Sequence, residues 1–147
     1  MKKILFIALL SVTVTVTYAQ NKSKMNKQII ETLIRIYASA VDAQDIAAAE
    51  KFLDKDFRVV LNNYNNSGSS AILSREQYLG MMKAGKVGGN KRELRILFTD
   101  VHEAAAVVKV ELKGEKSIFT NYYNLINTNG QWLIVHDIPQ IITINNQ

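Results

Sequence analysis

A β-hairpin signal near the C-terminus restricts the fold of this chain more than any other feature of its sequence. Two apolar-rich runs, Phe119–Ile126 and Trp132–Ile138, flank a short polar segment that contains Asn129 and Gly130. Asn and Gly tolerate the positive φ angles of a tight hairpin turn, and the flanking runs are rich in aromatic and β-branched residues. The sequence therefore predicts two antiparallel strands joined at Asn129-Gly130.

Two more strand-like runs precede this hairpin, and the short turns between all four runs favour an antiparallel meander. Val108, Val110 and Leu112 alternate with charged residues, which is typical of a strand with one buried face. The outer strands have apolar side chains at both parities, as in strands covered on both faces, and a second subunit is one source of such a cover. The predicted strands are Glu93–Thr99, Ala105–Leu112, Ser117–Ile126 and Trp132–Ile138.

The first half of the chain is predicted to be mostly helical. Met25–Gln44 has apolar residues at three- and four-residue steps, with a predicted stripe of Ile29, Leu33, Ile36 or Tyr37, and Ala40. Asp45 is a suitable N-cap for a second, alanine-rich helix over Ile46–Leu53.

A short strand pair, Phe57–Leu61 and Ala71–Leu73, is predicted to follow these two helices. Ser74 and Gln77 then form a capping-box pattern that opens a third helix to about Lys86. The predicted fold class is α+β, with three N-terminal helices packed on one face of a bent, mostly antiparallel sheet.

The N-terminus has the pattern of a secretory signal peptide. Lys2 and Lys3 precede an apolar run over Ile4–Val16, and small residues at Thr17 and Ala19 fit cleavage after Ala19. The run is shorter than the roughly 20 residues that a membrane span needs, so stable membrane insertion is not expected. We expect residues 1–19 to be a leader, residues 20–147 to be one domain, and the protein to be exported to the periplasm or beyond the cell.

Composition excludes several kinds of site. The chain of 147 residues has no cysteine, which rules out disulfides and thiolate metal sites. Without Lys2 and Lys3 the formal net charge falls from +5 to +3, and the short basic segment that follows has no interleaved aromatic residues, so no nucleic-acid partner is expected. His102 and His136 lie in separate contexts, and neither a metal nor a cofactor is predicted.

Four segments resemble the nuclear-transport-factor-2-like superfamily of cone-shaped α+β domains, within it the SnoaL-like and “Putative lumazine-binding” branch. They are Ile36–Asp45, Phe52–Phe57, Leu73–Leu79 and the hairpin Phe119–Ile138. The resemblance implies a conical pocket between the helices and the concave face of the sheet. It also implies a homodimer formed through the outer face of the sheet.

The ketosteroid isomerases of this superfamily give a test of catalysis. They combine a Tyr on the first helix, an acidic oxyanion donor and an Asp general base. Tyr37 matches the Tyr by position, but Leu61 and Asn62 stand where the base should be, and Asn121 stands near the second donor. The same isomerase chemistry is therefore not expected, because neither Leu61 nor Asn62 can take up a proton usefully at neutral pH.

The leading hypothesis is an exported, non-catalytic domain that binds a small, partly apolar molecule. One alternative is an isomerase- or dehydratase-like enzyme that uses Asp137 or His136 with Tyr37, although strand neighbours point to opposite faces and only one of the two could reach a substrate. A third hypothesis is a homodimeric protein-interaction module. The candidate pocket residues, several of which have simple core packing as the alternative, are Tyr37, Phe57, Tyr78, Met82, Phe98, Asn121, Tyr123 and Trp132.

Overall fold

The computed structural model describes residues 23–63 and 68–144. The predicted leader and its cleavage site lie outside the described residues. Helix α1 covers residues 23–42. The remaining elements are α2 (Ile46–Glu50), β1 (Leu53–Leu61), β2 (Ala71–Ser74), α3 (Arg75–Lys83), β3 (Glu93–His102), β4 (Ala105–Lys113), β5 (Ser117–Thr128) and β6 (Gln131–Thr143).

The strands form one six-stranded sheet in the order β2-β1-β6-β5-β4-β3. Strands β3 to β6 form the predicted antiparallel meander. The hairpin turn is confirmed, because β5 ends at Thr128, β6 begins at Gln131, and Asn129 and Gly130 have φ angles of 54° and 85°. The α+β class with three helices on a mostly antiparallel sheet is likewise confirmed.

Strand β1 joins the sheet by a parallel pairing with β6 that the sequence did not predict. It places Val59 beside Asp137, and the backbone N–H of Ile134 donates to the carbonyl of Phe52 at 2.8 Å. The prediction that the second helix continues to Leu53 was wrong. Helix α2 ends at Glu50, and the chain enters the sheet at Leu53, where the pairing with β6 begins. This pairing makes β1 part of the wall of the candidate site, next to Asp137.

Local helix-start signals were predicted correctly. The Asp45 side chain accepts a hydrogen bond from the Ala48 N–H, as an N-cap does. At α3 the Ser74 hydroxyl accepts from the Gln77 N–H while the Gln77 side chain accepts from the Ser74 N–H, which completes the capping box. These signals act within one turn of chain, so they need no tertiary contact.

The buried face of α1 differs from the predicted stripe. Ile29 is 47% exposed and Ile36 is 50% exposed, so neither residue belongs to the buried core. Leu33, Tyr37 and Ala40 of the predicted stripe are buried, and packing against the sheet buries the neighbouring positions rather than Ile29 and Ile36. The buried α1 residues are Ile30, Leu33, Ile34, Tyr37, Ala38, Ala40 and Val41.

The inner face of the sheet forms the opposite wall of the core. Val108, Val110 and Leu112 are buried, which confirms the predicted alternation of β4. Leu125 on β5 and Ile134 on β6 continue this apolar face under the helices. The core is closed near the hairpin turn that joins β5 and β6. The open space lies at the other end of these two strands, near the start of β5 and the end of β6.

Candidate ligand-binding site

A cavity of about 310 Å³ lies between α1, the segment after α3 and the inner face of the sheet. Its volume is at the lower end of the roughly 300–1,000 Å³ that is usual for small-molecule sites. The apolar part of its wall comes mainly from Val59, Leu61, Leu73, Leu112, Phe119 and Pro139. A space of this size and lining suits a small, largely apolar molecule.

Alternate residues of β5 and β6 point into the cavity, as strand pleating requires. The register places Phe119 beside Ile141 and Tyr123 beside Asp137, and all four line the cavity. Ile141 is 55% exposed, whereas Asp137 is 5% exposed. The cavity mouth is therefore near Ile141, and its closed end is near Asp137.

The carboxyl group of Asp137 is the acidic group at the closed end. The Asn121 side-chain Nδ2 donates a hydrogen bond to Asp137 Oδ1 at 2.7 Å. Burial raises the pKa of Asp137 to about 7, although the Asn121 hydrogen bond and the charge of Arg92 each act to lower it. Within residues 23–63 and 68–144 no basic side chain forms an ion pair with this carboxyl.

The amide of Asn121 has an unused acceptor. Asn121 is 5% exposed, it lines the cavity, and its Oδ1 has no hydrogen-bond partner. A buried acceptor without a partner costs about 1–3 kcal/mol relative to a satisfied one. A bound molecule with a donor group at this point would remove that cost.

Three tyrosines surround this polar pair. Tyr78 and Tyr123 line the cavity, and Tyr37 lies behind them, with its hydroxyl donating to the Tyr78 hydroxyl at 3.1 Å and its ring meeting Tyr123 edge-on at 5.9 Å. Burial and then the charge of Asp137 raise the pKa of Tyr78 and of Tyr123. Both phenols therefore stay protonated at neutral pH.

Arg92 connects the helical layer to the sheet beside the cavity. Its Nε donates to Asp42 Oδ1 at 2.7 Å, and Nη2 of the same guanidinium forms an ion pair with that oxygen. The guanidinium also lies over the Phe119 ring, 5.1 Å from its centroid. Arg92 thus holds β3 against α1, and its charge is balanced by Asp42 rather than by Asp137.

The segment after α3 packs closely on α1 and forms another part of the wall. Lys86, Val87, Gly88 and Asn90 line the cavity. A side chain at Gly88 would place its Cβ 2.1 Å from the carbonyl oxygen of Val41, so only glycine fits there. The Gln44 side chain donates to the Val87 carbonyl at 3.2 Å and ties the segment to the end of α1.

The predicted pocket residues fall into three groups. Tyr78, Asn121 and Tyr123 line the cavity together with Asp137. A second group is buried in the core but does not line the cavity, and it consists of Tyr37, Phe57, Met82 and Trp132. Phe98 lies outside, with 56% of its surface exposed.

A β-bulge explains the position of Phe98. Ile96 pairs with the inward-facing Val110, and the register then shifts so that Phe98 pairs with Lys109 on the outer face. Leu97 is the extra residue, and simple alternation along β3 fails at this point. Thr99, rather than Phe98, is the buried residue next along the strand.

The remaining candidates for chemistry separate as strand geometry predicts. His136 is exposed and pairs with Asn124, on the opposite face from Asp137. His102 ends β3 in an exposed position. Over the part of the chain that the structure describes, no three His, Asp or Glu side chains are grouped as metal ligands would be.

Several wall residues were not predicted, among them Arg92, Leu112 and Phe119. A signal for Phe119 was present, because residues 119, 121 and 123 share one face of a strand, as do residues 137, 139 and 141. Arg92 had no such signal, since its partner Asp42 is distant in the sequence and only the packing of β3 against α1 brings the two together.

Comparison with known families places the chain. The family model described as “Putative lumazine-binding” matches residues 25–138, which is most of the sequence. The chain belongs to this family. The match extends from α1 to the strand that contains Asp137, so the closed end of the cavity lies within the family domain.

Several solved structures share the fold of this chain. A nuclear-transport-factor-2-like protein of unknown function from Shewanella baltica OS155 superposes with a TM-score of 0.71 at 13% identity, covering 80% of this chain and 94% of that one. Another such protein of unknown function, from Silicibacter pomeroyi DSS-3, gives 0.66 at 18% identity, with coverages of 86% and 98%. A nuclear-transport-factor-2-like protein from Cytophaga hutchinsonii ATCC 33406 gives 0.60 at 18% identity, with coverages of 78% and 97%.

These likenesses concern the fold, since all three identities are low. No curated protein matches the sequence. None of the helices in the described ranges is long and apolar enough to cross a membrane. The function of this member of the “Putative lumazine-binding” family must therefore be argued from its own cavity.

Proposed function

We propose that the protein binds a small, partly apolar molecule in the cavity between its helices and its sheet, and that it does so without catalysis. The observation that carries this proposal is the polar pair at the closed end of an otherwise apolar space. Asn121 and Asp137 are both 5% exposed, and both line the cavity. Apolar walls with a few convergent polar groups are the usual design of a small-molecule site.

The polar pair is costly for the fold alone. An ionised carboxyl without a cationic partner is disfavoured in a buried position, and the raised pKa of Asp137 expresses that cost. The Oδ1 of Asn121 adds an unpaired acceptor. Groups that destabilise a fold are typical of sites that meet a ligand, because there the ligand supplies the missing partners.

Asp137 is the one acidic residue among the described residues that line the cavity, which favours binding over ketosteroid-isomerase chemistry. Leu61, one of the two residues that stand where the base is expected, is part of the apolar wall. Asn121, near the expected second oxyanion donor, uses its N–H to hold Asp137. Asp137 is thus a single acid rather than half of an acid–base pair.

Ligand-induced stabilisation tests the proposal. A metabolite library that includes lumazine is added to the wild type and to two variants, Leu73→Trp, which fills the cavity, and Ile72→Trp, which changes the adjacent outward-facing residue. A ligand at about 100 times its dissociation constant adds about 2.7 kcal/mol, or roughly 5–10 °C in melting temperature. The shift should occur in the wild type and in Ile72→Trp and should be absent in Leu73→Trp. If no compound shifts the wild type, the proposal fails.

A second candidate function is proton transfer of an isomerase or dehydratase type. The pKa of about 7 for Asp137 favours it, because a general acid–base works best near the ambient pH. Tyr78 would be the nearby donor, since Tyr37 reaches the cavity only through it and His136 faces away. NMR spectra of each bound compound separate the two functions: an unchanged ligand supports binding alone, whereas conversion that is lost in Asp137→Asn supports the enzyme.

We also propose that two copies associate through the outer face of the sheet. One row across this face consists of Phe98, Lys109, Tyr122 and Ile138, with the Lys109 ammonium 5.3 Å from the centre of the Tyr122 ring. Phe98 and Tyr122 are exposed in the single chain, and burying them against a second copy would remove apolar surface from water. A second copy of the chain on this face agrees with the homodimer that the superfamily resemblance implies.

Light scattering tests the association. The wild type should have twice the mass of one chain, and Tyr122→Glu should raise the dissociation constant at least roughly tenfold, because an aromatic contact is lost and a carboxylate has to be desolvated at the interface. Ile72→Glu, an exposed change on β2, should leave the dimer intact. A wild type that stays monomeric at high concentration would contradict the proposal.

Export is proposed on the N-terminal pattern. Lys2 and Lys3, the apolar run and the small residues at Thr17 and Ala19 fit a leader that is removed after Ala19. The readout is the N-terminal residue of the protein recovered outside the cytoplasm, which should be Gln20.

A further inference from the structure

Among the described residues, the closed end of the cavity has one acceptor without a hydrogen-bond partner, Asn121 Oδ1, and one carboxyl without an ion-pair partner, that of Asp137. Asn121 gives one N–H to Asp137 Oδ1, which leaves its own Oδ1 unpaired and leaves Oδ2 of Asp137 as the carboxyl atom that would meet a ligand. The basic group whose charge acts to lower the pKa of this carboxyl, Arg92, forms an ion pair with Asp42. The part of a ligand that reaches this end should therefore donate hydrogen bonds.

We propose that this end of the cavity binds a cationic nitrogen group, an amidinium or a primary ammonium, attached to a small apolar body. The inference rests on the proposed function and names the chemical class of its ligand. It follows from the orphaned acceptor of Asn121, the carboxyl of Asp137 and the apolar wall, which includes Val59 and Leu112.

Charge and shape both favour this class. A cation supplies the partner that the buried carboxyl lacks, and hydrogen bonds between two charged groups are about twice as strong as neutral ones. An amidinium has two parallel N–H groups, which match two neighbouring acceptors such as Asn121 Oδ1 and the Asp137 carboxyl. The rings of Tyr78 and Tyr123, which line the same end, add surfaces that attract cations.

Other classes fit less well. An anion would meet Asp137 as a like charge in a buried site, which costs affinity. Along the edge where an amidinium presents two N–H groups, a neutral primary amide presents one N–H and its carbonyl oxygen. That oxygen would face an acceptor unless Asp137 is protonated or a tyrosine hydroxyl turns towards it. The binding of neutral amides is therefore the result that would argue against a cation.

Three isosteric probes make this distinction. Benzamidine, benzamide and benzoate share one planar shape and differ in carrying a cation, a neutral amide and an anion. Calorimetry at pH 8 should give benzamidine a dissociation constant at least roughly tenfold lower than that of benzamide, since its hydrogen bonds to the carboxylate are charge-assisted. Benzoate should bind most weakly.

The pH dependence gives an independent readout. With the pKa of Asp137 at about 7, the ionised fraction rises from about one tenth at pH 6 to about nine tenths at pH 8, so the affinity for benzamidine should rise about tenfold. The titratable and charged groups around this carboxyl and along the cavity wall are Tyr37, Tyr78, Tyr123, Arg92, Asp42 and Lys86. The phenols remain neutral over this range because their pKa values are raised, and Arg92 forms an ion pair with Asp42.

Variants locate the effect. Asp137→Asn should remove both the preference for benzamidine and its pH dependence, whereas Asp100→Asn, the same change at an exposed position on β3, should retain both. Asn121→Leu removes the unpaired acceptor and also the hydrogen bond that lowers the pKa of Asp137, so it should weaken benzamidine several-fold and move the rise in its affinity to higher pH. If either cavity variant fails to fold, the other variant and the wild-type pH profile decide.

The outcomes separate this inference from the proposed function. Benzamide binding as tightly as benzamidine, or an affinity that falls between pH 6 and pH 8, overturns the cation assignment and leaves the binding function standing. The same holds if none of the three probes binds while a library compound stabilises the wild type but not Leu73→Trp. Absence of binding by every compound overturns both.

Discussion

Replacing Asp137 by Asn is expected to make the protein more stable at pH 8, even though it removes the acidic group of the candidate site. Burial raises the pKa of Asp137 to about 7 from the ordinary value of 3.8 for an Asp side chain. The folded state therefore binds a proton over a range of pH in which the unfolded chain has already lost it. In that range the free energy of unfolding of the wild type falls as the pH rises.

The size of the effect follows from the two pKa values. The loss begins above pH 4, continues through pH 7 and then levels off, and a difference of about three pKa units corresponds to about 4 kcal/mol. Asn cannot ionise, so the variant should lack this fall in stability. The stability difference between Asp137→Asn and the wild type should grow in favour of the variant across the same interval.

Urea unfolding at a series of pH values measures this difference. Asp100→Asn is the matched control, because it removes an exposed carboxyl from the same sheet, and its stability should run parallel to that of the wild type. Parallel curves for Asp137→Asn and the wild type would show that burial does not perturb Asp137. Greater stability combined with lost binding would be the signature of a group kept for function.

Replacing Gly88 by Ala is expected to destabilise the protein much more than replacing Gly85 by Ala. Both glycines have positive φ, +81° and +71°, so both substitutions strain the backbone by about 1 kcal/mol. At Gly88 the new Cβ would also lie 2.1 Å from the carbonyl oxygen of Val41, whereas at Gly85 the nearest atom is Gln44 Nε2 at 3.8 Å. Because a backbone atom cannot rotate away, Gly88→Ala should cost about 3 kcal/mol or more in total.

The same substitution should also change the cavity, because Gly88 is part of its wall. Thermal and urea unfolding give the stability cost, and the binding of any compound that stabilises the wild type gives the effect on the site. Gly85→Ala should retain binding, since Gly85 does not line the cavity. Equal costs at the two glycines would mean that the segment after α3 is not packed on α1 as described.

Features that depend on neighbouring residues were predictable from the sequence. Asn129 and Gly130 predicted the hairpin turn, because positive φ at both positions is a local property of these residues. Ser74 and Gln77 predicted the start of α3, and the alternation of Val108 with charged neighbours predicted the inner face of β4. The opposite orientations of His136 and Asp137 also followed from the pleat of a single strand.

Features that depend on distant residues were decided by the tertiary structure. One extra residue at Leu97 turned Phe98 to the outer face, and sheet packing chose Ile30 over Ile29 on α1. The parallel pairing of β1 with β6 placed Val59 beside Asp137, and burial in that position raised the pKa of a carboxyl that looks ordinary in the sequence. Local sequence thus determined the elements and the hairpin, whereas the chemistry of the candidate site arises from burial and from contacts between residues far apart in the chain, which no local pattern encodes.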